Sequence, residues 1–96
     1  MLTSKQKKML RGLANSRHPL VLIGKEGLST AACTALKNAL ESHELVKVKL
    51  LKSALVPVQQ AALDLSAATH SEVVGIIGKT IIFYRRAKKP VIVLDI

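Results

Sequence analysis

Gly24-Lys25-Glu26-Gly27, followed by Ser29, is the stretch whose residue types and spacing are best suited to chemistry. Two glycines three apart allow backbone geometries that a side chain forbids, and they let another molecule's backbone come close. Ser29 has the character of a helix N-cap, so a helix with unbonded N–H groups should begin just beyond the loop. Such a start attracts anions, phosphate included, and Lys25 adds a full positive charge beside it. Glu26 opposes that charge. The plain alternative is a tight strand-to-helix connection without a ligand, because Gly-x-x-Gly alone is a common pattern.

Other candidate chemistries fail on spacing. Gly78-Lys79-Thr80 has the ending of a nucleotide-binding P-loop, but that motif wants a glycine where Val73 stands and a helix where the strand-like Ile81-Ile82-Phe83-Tyr84 follows. Nucleotide hydrolysis is therefore not expected. His18, His43 and His70 are scattered singly, with no partner at helical spacing, so no metal site is expected. Cys33 is the only cysteine, which excludes an internal disulfide and any multi-cysteine zinc site and fits a reducing cytoplasm. Set among Ala31, Ala32 and Ala35, it reads as a small core residue. No cofactor is implied, and no pairing of a histidine with an acid marks a catalytic centre.

What remains is charge. Fifteen Lys and Arg against six Asp and Glu give a net charge of +9, which points to a polyanionic partner. Nucleic acid is favoured over membrane, since no apolar run approaches the ~18 residues of a spanning helix and no signal-peptide pattern opens the chain. The candidate cations are Lys5, Lys7, Lys8 and Arg11 on a first helix, Arg17 and His18 after it, Lys25 in the glycine loop, and Lys47, Lys49, Arg85 and Arg86 on strands. Phe83 and Tyr84 are the only aromatic residues. A base-stacking sheet is thus unsupported, and recognition should rest on backbone and shape.

The elements that must position these residues follow from local signals. Thr3-Ser4-Lys5-Gln6 fits a capping box, and Met9, Leu10, Leu13 and Ala14 then recur on one side of a basic amphipathic helix. Leu20 to Ile23 has the length of a short buried strand. Ala32, Cys33, Leu36, Ala39 and Leu40 form the stripe of a second helix running to about His43. Leu45 to Leu51 alternates, with Lys47 and Lys49 pointing the same way. Val58, Ala61, Ala62 and Leu65 predict a third helix that ends near Thr69 and serves packing, since its only charge is Asp64. Glu72 to Ile77 and Thr80 to Arg85 read as a hairpin about Gly78-Lys79, and Val91 to Leu94 as a possible last edge strand. At 96 residues the chain should form one domain, residues 1–96, of α/β class in the order α-β-α-β-α-β-β. About four strands should form a mixed sheet with three packed helices.

Three segments together resemble the bacterial YhbY family, the stand-alone form of the CRM (chloroplast RNA splicing and ribosome maturation) domain. They are Leu22-Ile23-Gly24-Lys25-Glu26-Gly27-Leu28-Ser29, His43-Glu44-Leu45-Val46-Lys47-Val48-Lys49, and Ile77-Gly78-Lys79-Thr80-Ile81-Ile82-Phe83-Tyr84-Arg85. The opening Leu2 to Leu13 and the approach to Pro19 share the likeness, so it spans nearly the whole chain. The resemblance implies a non-catalytic RNA-binding domain similar in fold to the C-terminal domain of translation initiation factor three. It also implies a glycine loop comparable to that of KH domains and an association with precursors of the large ribosomal subunit. On this reading a cytoplasmic monomer contacts ribosomal RNA through Lys5, Lys7, Lys8, Arg11, Arg17, His18, Gly24, Lys25, Glu26, Gly27, Lys47, Lys49, Lys79 and Arg85. A permanently incorporated structural ribosomal protein is the alternative. Glu26 departs from a loop that tends to be basic or neutral in the family.

Overall fold

Thr3 caps the first helix as its sequence predicts. In a computed structural model of the chain, which describes residues 2–93, the Thr3 hydroxyl accepts from the Gln6 N–H at 3.1 Å while the Gln6 side chain accepts from the Thr3 N–H at 2.9 Å. The elements then follow as α1 (Ser4–Ala14), β1 (Val21–Ile23), α2 (Thr30–His43), β2 (Leu45–Leu50), α3 (Val58–Thr69), β3 (Glu72–Ile77) and β4 (Thr80–Tyr84). Residues 91–93 lie outside any strand, and the rest of the expected final strand falls outside the described residues.

The four strands form one sheet in the order β1-β2-β4-β3. β1 and β2 run parallel with Val21 opposite Val48, while β4 pairs antiparallel with both β2 and β3. This mixed pairing follows from the connections. The α2 crossover returns the chain to the same end before β2, whereas the tight Gly78 turn, with φ at +60°, reverses it between β3 and β4.

Helices cover both faces. On one, α2 and α3 bury Leu36, Leu40, Ala61 and Leu65 against Val46, Val48, Ile81 and Phe83. On the other, Leu10 and Ala14 of α1 meet Leu45, Val74, Ile82 and Tyr84. Strand alternation splits β2 accordingly: Val46, Val48 and Leu50 enter the larger core, while Lys47 and Lys49 stand on the face that α1 shares. Cys33 packs at the margin of the larger core. Leu13 does not complete the buried stripe of α1, being 39% exposed, because the contact stripe runs through Leu10 and Ala14 and leaves Leu13 to one flank.

Candidate nucleic-acid interface

The glycine loop sits where β1 ends, and it is a turn whose two glycines have different surroundings. The Gly27 N–H donates to the Gly24 carbonyl at 3.0 Å, which leaves Lys25 and Glu26 exposed at the tip. Gly27 has φ at +67°, a left-handed conformation, and a Cβ there would point into open space. Gly24 sits close to the chain beyond β2, where a Cβ would lie 3.2 Å from Ser53 Oγ and the exposed serine side chain would have to give by a few tenths of an ångström. Ser29 then caps α2 by accepting from the Ala32 N–H at 3.2 Å. The first-turn N–H groups of α2 thus lie just beyond Lys25.

Other cations reach the same end of the sheet through backbone bonds. β1 and β2 run parallel and so end together, and the Leu51 N–H donates to the Ile23 carbonyl at 2.8 Å. The Leu50 N–H donates to the Lys79 carbonyl, also at 2.8 Å, which draws the β3–β4 turn alongside. Lys49 lies opposite Thr80 in the β2–β4 register. Lys25, Lys49, Lys52 and Lys79 are all exposed here. Glu26 is the only acid on these three turns. Lys52 escaped the sequence reading because it falls outside any periodic element; only its nearness in sequence to Lys49 could have suggested it.

The remaining sequence-predicted residues divide into two groups. Lys5 and Lys8 are exposed on the outer side of α1, with Lys7 half-buried. Arg11 lies along Gly75, where its Nη1 donates to the Val74 carbonyl at 3.2 Å. At the end of the sheet away from the glycine loop, Arg17 Nη1 donates to the carbonyls of Leu45 at 2.9 Å and His43 at 3.3 Å. Lys47 Nζ in turn donates to the Arg17 carbonyl at 3.0 Å. Arg85 donates to the Thr69 carbonyl at 2.9 Å and pairs with Glu41 at 3.3 Å. His18 is exposed nearby. Arg17, Lys47 and Arg85 are thus engaged in holding the chain together, while the loop-end lysines have their charges in solvent.

The CRS1/YhbY (CRM) domain profile matches residues 2–85. The chain belongs to that family. Among CRM relatives, the "Probable RNA-binding protein YqeI" of Bacillus subtilis is 35% identical over 89 residues, covering 93% of each chain. An "RNA-binding protein" of Haemophilus influenzae is 33% identical over 88 residues, covering 92% of this chain and 89% of the relative. The solution structure of SAV1595 from Staphylococcus aureus, described as a candidate RNA-binding protein, superposes with a TM-score of 0.79 at 40% identity over 93% of each chain. The names of these CRM relatives describe binding, not catalysis.

Proposed function

We propose that this CRM protein binds RNA without turnover, and that its target is ribosomal RNA of the large subunit while that subunit is being assembled. The observation that carries RNA binding is a cluster of charge: four exposed lysines on or beside the turns at one sheet end, next to a helix start, in a chain whose relatives are named for RNA binding. The ribosomal target rests on the family resemblance. In this reading the protein is a cytoplasmic monomer whose loop end docks on backbone phosphates, with Lys5 and Lys8 of α1 extending the contact.

Sedimentation of cell extracts tests the proposal. The protein should travel with precursors of the large subunit and be absent from mature subunits. Stoichiometric presence on mature ribosomes would instead identify a permanent ribosomal component. Crosslinking and sequencing of the bound RNA should return large-subunit sequences, and recovery of unrelated messages alone would reject the ribosomal target.

A further inference from the structure

β1 is the edge of the sheet, with a neighbouring strand on one side only. On that side the Leu51 N–H donates to the Ile23 carbonyl at 2.8 Å, and backbone groups alternate in direction along an extended strand. The N–H and C=O of Leu22, which lies opposite Lys49 in the register, therefore face the open edge. That edge borders a cavity of about 470 Å³ whose opposite wall is Ala31, Ala32 and Ala35 of α2 and whose rim is the Gly24–Gly27 turn. Ala31 and Ala35 are one helical turn apart and exposed, so the wall is shallow, apolar and unobstructed.

We propose that this groove seats unpaired RNA bases, so that a single strand runs along β1 with its backbone beneath the glycine loop. The inference rests on the RNA-binding reading above and adds to it the form of RNA and the place of its bases. The open edge presents the donor and the acceptor of Leu22 side by side, a pair of peptide groups that the Watson–Crick edge of an unpaired base can satisfy. The alanine wall offers methyl surface against which a flat base can lie, in a chain with no ring available for stacking there. Leu22, 59% exposed beside the edge, adds further apolar contact.

Charge selects the occupant. Lys25 stands at one mouth beside Glu26, and a second cavity of about 280 Å³ that shares Leu20 carries at the other the exposed His18 and Arg17, whose charge remains although its Nη1 holds the His43 and Leu45 carbonyls. An anionic polymer lying along β1 thus meets a cation at each end. Duplex RNA does not fit this role, since its base edges are already paired. A peptide strand is disfavoured because β1 offers only three residues, well short of the usual pairing length of about five to six.

Filling the groove tests the inference. Ala31→Leu/Ala35→Leu places two good helix formers at exposed helical positions, so the fold should persist, with thermal unfolding as the check. Affinity for a short poly(A) oligoribonucleotide should fall about tenfold, or about 1.4 kcal/mol, while affinity for a blunt RNA duplex at the same salt stays unchanged. In the wild-type protein, the Leu22 amide resonance should shift on addition of poly(A). A double variant that binds poly(A) as tightly as wild type, or an unshifted Leu22 amide at saturation, would overturn the groove and leave RNA binding standing. Wild-type protein that binds neither form at low salt would remove RNA binding itself, and the groove's occupant with it.

Discussion

A carboxylate with no solvent exposure persists only if its oxygens are satisfied, and Glu44 has three backbone donors. It accepts from the N–H groups of Ala87 at 2.8 Å, Val91 at 2.6 Å and Ile92 at 2.7 Å. Burial pushes its pKa up, but these three bonds and the nearby Arg86 outweigh burial and hold it below its ordinary 4.5. A lowered folded-state pKa contributes stability that is present above about pH 4.5 and lost as the pH falls through the folded value. Glu44→Gln should therefore lower stability by about 2–4 kcal/mol near neutrality and flatten the acid limb of stability against pH, measured by urea unfolding. Tyr84 shifts the opposite way. Burial first, then the charge of Glu44, raise its pKa above 10.0 against the opposing pull of Arg86. The stability tied to its neutral phenol is present below about pH 10 and lost as the pH rises through the folded value. Because it is the only tyrosine and there is no tryptophan, an ultraviolet absorbance titration reads it directly. Ionisation should come later in the folded than in the unfolded chain, and the delay should shrink in Glu44→Gln.

Between elements, two arginines act as bolts. Arg85 binds the Thr69 carbonyl at the end of α3, and Arg17 binds the His43 and Leu45 carbonyls where α2 passes into β2. Arg85→Ala should thus cost about 1–3 kcal/mol of stability, seen in thermal unfolding, and reduce RNA affinity less than Lys79→Ala does when both are measured well below the transition. A larger affinity loss from Arg85→Ala would return it to the interface. All seven helices and strands stood close to their expected positions, because each carries its own signal within a few residues: the Thr3–Gln6 box, the Ser29 cap, the alternation from Leu45, the Gly78 turn. The work of Arg17 and Arg85 had no such signal. A cation in the sequence shows its charge, whereas the carbonyls that it binds are up to 28 residues away for Arg17 and 48 for Arg85.

Across the whole molecule, both ends carry exposed cations, Arg86, Lys88 and Lys89 lying opposite the glycine loop, but the acids are placed differently. Lys25, Lys52 and Lys79 meet solvent on turns at one end, while Glu41 and Glu44 accept from Arg85 and the 87–92 backbone at the other. Lys25→Ala/Lys79→Ala should lower RNA affinity and reduce the slope of log affinity against log salt by about 1.4–1.8, the counterion release of two phosphates. An unchanged slope would exclude the loop end from the contact. The sequence already showed the glycine loop and the excess of cations, but not which cations are spoken for, since that depends on strand order and on the β1–β2 and β3–β4 ends arriving together. The Glu44 clasp bears on time as well as on strength. Its partners lie 43 to 48 residues along the chain, so closing the clasp carries the entropy cost of a long loop. Such a long-range contact belongs to the far side of the folding barrier. In stopped-flow experiments Glu44→Gln should therefore leave the refolding rate almost unchanged and speed unfolding, so that the clasp acts chiefly on how long the native molecule survives.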